Sequence, residues 1–101
     1  MVIEMQRIRV KPEVRREWLA ADREVWTEGL SGVPGFLGKE IWQGRDGEMV
    51  LVVRWRSQED WDAVPKPLLD RLDRAFRDRL PKGWEPAGES AFDLLEETGR
   101  R

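Results

Sequence analysis

Residues 32–47 read GVPGFLGKEIWQGRDG. Two turn signals, Gly32-Val-Pro-Gly35 and Gly44-Arg-Asp-Gly47, bracket an extended run from Phe36 to Gln43. This predicts a strand that returns through a hairpin, with Asp46-Gly47 supplying the positive φ values that tight turns need. Inside the run the Lys39-Glu40 pair is out of place among apolar neighbours. Past the turn, Glu48 to Arg56 (EMVLVVRWR) predicts the second arm. Its Met49, Leu51, Val53 and Trp55 fall on one face, Val50 and Val52 on the other. On the first arm Phe36 and Trp42 oppose Leu37 and Ile41. A sheet covered by helices on one side alternates apolar with polar residues. Both faces are apolar here, so the face the helices leave needs another cover. A second copy of the chain, sheet against sheet in a homodimer, is the simplest source.

Outward from the hairpin, Val2 to Val10 (VIEMQRIRV) predicts an opening strand stopped by Lys11-Pro12. Pro12 and Glu13 suit a first helical turn. From there to about Leu30, Val14, Trp18, Leu19, Ala21, Val25, Trp26 and Leu30 fill half of a helical wheel at about 100° per residue. Downstream, Ser57-Gln-Glu-Asp60 resembles a capping box and leads Trp61 into a short helix. Val64-Pro-Lys-Pro67 breaks that helix. A second segment to Leu80 carries Leu68, Leu69, Leu72 and Phe76 on one face, and Pro81-Lys-Gly83 ends it. A last strand is expected over Ser90–Leu95. The order βαββαβ predicts an α+β, ferredoxin-like fold, a four-stranded antiparallel sheet with both helices on one face. The chain reads as one domain over residues 1–101, its core about residues 2–95 and a tail at 96–101.

Composition narrows the function classes. With 18 basic and 20 acidic residues, net charge −2, no long-range field draws the chain to nucleic acid or anionic lipid, and no basic face or motif suits nucleic acid. No stretch matches a membrane span or a signal peptide, so a cytoplasmic location is expected. His, Cys and Tyr are absent, as is Asn. This removes the usual proton shuttle, the usual zinc and haem ligands and the His-activated nucleophiles. No metal site and no cofactor is expected. Six Trp in 101 residues is the opposite excess.

Pro34-Gly-Phe-Leu-Gly38 opening one strand, with Trp55-Arg-Ser-Gln-Glu-Asp-Trp61 joining another to its helix, resembles the antibiotic biosynthesis monooxygenase superfamily, in particular its small stand-alone members. The resemblance covers residues 2 to about 80. It implies a dimeric α/β barrel with a pocket between sheet and helices in each subunit. Such folds host cofactor-free oxygenases, haem degraders, isomerases and proteins with no assigned reaction. The oxygenases use Asn, Trp and a Tyr or His around their substrate, and this chain supplies only the Trp.

Asp22 is the sharpest candidate. It falls at the centre of the apolar arc, one turn from both Trp18 and Trp26. A carboxylate there is costly unless paired or facing a wet cavity. It reads either as a catalytic acid or base with a raised pKa, or as one half of an ion pair with Arg7, Arg9, Arg54 or Arg56 on the sheet. The same arginines could instead clamp an anionic ligand. Candidate ligand-binding residues are Trp18, Trp26, Arg7, Arg9, Arg54, Trp55, Trp61 and Phe76. They suggest a binding protein for a small apolar or aromatic molecule. The alternatives are a cofactor-free monooxygenase or isomerase using Asp22 as base, and a purely structural dimer.

Overall fold

The hairpin forms one edge of a four-stranded antiparallel sheet. A computed structural model describes residues 1–99, leaving Arg100 and Arg101 of the expected tail outside the described residues. The strands are β1 (Val2–Val10), β2 (Phe36–Gln43), β3 (Met49–Trp55) and β4 (Trp84–Asp93), in spatial order β2-β3-β1-β4. A helical stretch links β1 to β2. It begins with a 3₁₀ turn (Pro12–Val14), continues as α1 (Arg15–Ala21), opens into a π turn (Asp22–Thr27) and closes as α2 (Glu28–Leu30). The β3–β4 connection contains α3 (Gln58–Asp62) and α4 (Lys66–Arg79). This is the ferredoxin-like α+β arrangement, with two layers.

One face of the sheet carries the core. Met49, Leu51, Val53 and Trp55 of β3 and Val2, Ile8 and Val10 of β1 are buried with Trp18, Ala21, Leu30, Leu72 and Phe76 from the helices. Phe76 stands edge-on to both Trp18 and Trp84, with ring centroids 5.9 Å and 5.1 Å away. At the start of α3 the Ser57 hydroxyl accepts from the Asp60 amide at 3.1 Å, and the Asp60 carboxylate accepts from Ser57 in turn. Ser57 thus caps the helix, while the shorter Asp60 side chain takes the Ser57 hydroxyl rather than the backbone N–H that a Glu or Gln there would reach to complete the box. Gly35 has φ +84°, and a Cβ on it would lie 2.4 Å from the Asp60 Cβ, so only glycine admits this approach of the β2 entry to α3.

Two expectations are corrected. The last strand starts at Trp84, not Ser90, and ends at Asp93, because Pro86 and Gly88 read as loop residues. Pro86 is tolerated because β4 is an edge strand; it lies opposite Ile8, where the β1–β4 register shifts. On β2, Phe36 and Trp42 do not share a face. Phe36 pairs with Trp55 and Gly38 with Arg54, leaving Leu37 as the extra residue of a bulge. Phe36, Lys39 and Ile41 thereby take their register from Trp55, Val53 and Leu51 on the helix side, while Glu40 and Trp42 lie opposite Val52 and Val50 on the other. That outer face is mixed. Val52 is fully buried, Trp42 and Phe92 are 46 % and 49 % exposed, and Arg54 bridges to Glu40 across it at 3.4 Å.

Candidate functional site

The sheet and the helices do not close completely on one another. Between them lies a cavity of about 790 Å³. Its roof comes from the first helical stretch, where Trp18, Asp22, Trp26 and Leu30 all line it at a constant spacing of four. In an unbroken α-helix each step of four over-rotates by about 40°, so such a series drifts off its face. The π turn from Asp22 to Thr27 holds more residues per turn and brings Trp26 back over the sheet. The floor is β1 and β3, with Glu4, Ile8, Leu51 and Trp55, and β2 contributes Lys39. Trp61, Phe76 and Trp84 complete the walls, so five of the six Trp line one space.

Asp22 is 3 % exposed and lines the cavity together with Trp18 and Trp26. Its partner is not one of the four strand arginines. Lys39 donates to its Oδ1 at 2.7 Å, and both side chains are 4 % exposed. Burial pushes the Asp22 carboxyl above its ordinary value, opposed by the charge and the hydrogen bond of Lys39. The arginines are engaged elsewhere: Arg7 with Glu48 at 3.9 Å, Arg9 with Glu85 at 3.3 Å, Arg54 with Glu40, and Arg56 with Asp60 at 2.7 Å. Arg7 reaches the cavity wall, whereas Arg9 and Arg54 do not. An anion clamp built from these side chains is not assembled.

The space holds a second carboxylate that the wheel of the first helix could not reveal. Glu4, half-buried on β1, accepts from the Trp55 indole N–H at 3.0 Å and from the Gln6 amide at 2.7 Å. Trp55 in turn lies parallel to Trp61, with ring centroids 6.4 Å apart and planes within 1°. The Trp18 indole N–H is buried without a hydrogen-bond acceptor among the described residues. Lys39 was visible in the sequence as one of the charges that break the β2 pattern. The signal for Glu4 was weaker, a single acid in a strand that also carries Gln6, Arg7 and Arg9.

These elements recur in known proteins. Over 95 % of this chain and all of the other, the structure matches that of an antibiotic biosynthesis monooxygenase assigned by likeness in Nitrosomonas europaea, with 19 % identity and a TM-score of 0.70. A Streptomyces coelicolor monooxygenase solved with the ligand nanaomycin D superposes at a TM-score of 0.75, with 16 % identity over 99 % of this chain and 92 % of that one. A cofactor-independent oxygenase from Streptomyces nogalater gives 0.69 at 16 % identity, covering 98 % and 97 % of the two chains. At such identities these structures establish the fold alone. Among curated proteins none matches the sequence. The sequence model of antibiotic biosynthesis monooxygenases matches residues 1–64, from β1 through the hairpin to the end of α3, and the chain belongs to that family.

Proposed function

We propose that the protein is a cytoplasmic homodimer whose subunits each hold a small apolar or aromatic molecule between sheet and helices. The observation that carries this reading is the cavity of about 790 Å³ walled by five Trp. It lies within the ~300–1,000 Å³ usual for small-molecule sites. Stacking on indole faces suits a planar ring, and the few polar groups supply orientation. The open volume favours a binding role over a dimer with a filled core. Native mass spectrometry of freshly purified protein should find a dimer carrying a co-purified small molecule. Protein that is empty, and whose melting temperature no aromatic compound shifts, would refute the reading.

A second reading is a cofactor-free oxidation or isomerisation with Asp22 as base. It is favoured by the raised pKa of a carboxylate on the cavity wall and by membership of a family named for monooxygenases. Its weakness is chemical, because Lys39 occupies the carboxylate and the chain offers no His or Tyr beside it. If Asp22 is the base, Asp22→Asn abolishes turnover of the identified ligand while leaving its affinity nearly intact. If Asp22 only shapes the wall, no turnover is found in either protein.

A further inference from the structure

Resting on the binding role just proposed, the charges of the cavity allow its ligand class to be named. Six carboxylates line it against three cations, Arg7, Lys39 and Arg77. Each cation is already paired: Lys39 with Asp22 at 2.7 Å, Arg77 with Asp73 at 3.0 Å and Arg7 with Glu48 at 3.9 Å. A carboxylate or phosphate entering here would have to displace one of these partners. Glu4 and Asp62 accept only from neutral donors, and of the two Glu4 is the one bonded to a cavity indole. Its hydrogen bonds come from Trp55 and Gln6, both neutral, so its charge is oriented but not cancelled.

The aromatic walls point the same way. Indole faces are negative and attract cations, most strongly where water is thinned out. The wall already shows this preference, since the Arg77 guanidinium lies over the Trp84 ring at 5.1 Å. Trp55, which donates to Glu4, is also one half of the parallel Trp55–Trp61 pair. Trp55 itself is buried, and the partly buried Trp61 stacked beside it lines the same space as Glu4, so one cavity offers an opposite charge and a flat aromatic surface.

We infer that the cavity takes a planar aromatic molecule carrying an amine or another positive charge, with Glu4 as its anchor, and that it turns away anions of the same shape. A matched acridine series tests this by titration calorimetry near pH 7. The probes are 9-aminoacridine as the cation, acridine as the neutral ring and acridine-9-carboxylate as the anion. The cation should bind at least about tenfold tighter than the anion. Glu4→Gln, whose amide oxygen can still accept from Trp55, should reduce that ratio at least about fivefold. The wild-type ratio decides the matter even if the variant folds poorly. Equal or tighter binding of the carboxylate would overturn the inference, as would a Glu4→Gln protein that keeps the full preference. Neutral acridine binding without any preference for charge would overturn the ligand class and leave the pocket. If none of the three binds, both fall.

Discussion

Lys39 shows how one residue can be conspicuous in a sequence while its purpose stays hidden there. Its charge breaks the β2 pattern, but its partner is 17 positions upstream on a helix, and only the bulge at Leu37 lets it and Phe36 face the helices together. The strand arginines were the natural candidates for Asp22 because their number is large, yet carboxylates within or beside the sheet satisfy them. Removing Lys39 should therefore strand a buried carboxylate. Lys39→Met is expected to cost roughly 3 kcal/mol near pH 7. The pH dependence has a definite sign. Burial raises the Asp22 pKa in the folded state, so the folded protein holds the proton more tightly than the unfolded chain. This group's contribution to stability thus increases as pH falls through its folded pKa toward about 3.9, the ordinary value. Without Lys39 both of the influences that lower the pKa are gone, so the window widens and the deficit of Lys39→Met should narrow in acid. Urea midpoints at pH 7 and pH 5 measure it, and a deficit that grows in acid would contradict this account. In Asp22→Asn/Lys39→Met neither charge remains, and the double variant should be more stable than Lys39→Met alone.

At the scale of elements, most of the secondary structure is legible because the chain marks it chemically. The bounds of β1 and β2 agree with the sequence reading, Ser57 caps α3 as expected, and the prolines separate α3 from α4. Two features are not legible. A π turn leaves no mark in residue type, because the widening at Asp22–Thr27 is selected by what Trp26 packs against. The first half of β4 is masked by Pro86 and Gly88, whose meaning depends on its being an edge strand. Two substitutions probe the α3 junction. Ser57→Ala should cost about 1 kcal/mol through loss of the cap. Gly35→Ala should cost more, since it combines a positive φ with a contact to Asp60 that cannot be relieved by a rotamer change alone. Thermal melts of the two variants give the order, and an alanine at 35 milder than the one at 57 would show that the β2 entry can move away from α3.

For the whole molecule, the sequence argued for a dimer from apolar residues on both sheet faces, and the structure refines where that proposal is best tested. Leu51 faces the cavity and Val52 is fully buried within one chain, so a charge at either reports folding rather than association. Trp42 is the better probe. It is half-exposed on the outer face opposite Val50, with its indole N–H bonded to Glu40 at 3.0 Å. Light scattering should give twice 11.9 kDa for the wild type, and Trp42→Asp should lower that mass toward a single chain while the melting transition stays cooperative. A wild-type mass of one chain at micromolar concentration would reject the dimer. The same division of the tryptophans, five around the cavity and one on the outer face, gives the molecule two optical compartments. Emission from the two buried indoles, Trp18 and Trp55, is shielded from an aqueous quencher such as acrylamide, and all five cavity indoles respond to whatever enters between sheet and helices. Emission from Trp42 is quenchable in a free subunit and becomes shielded when that face is covered. Without any label, one spectrum can follow occupancy and assembly as separate signals, and Trp42→Phe assigns which is which.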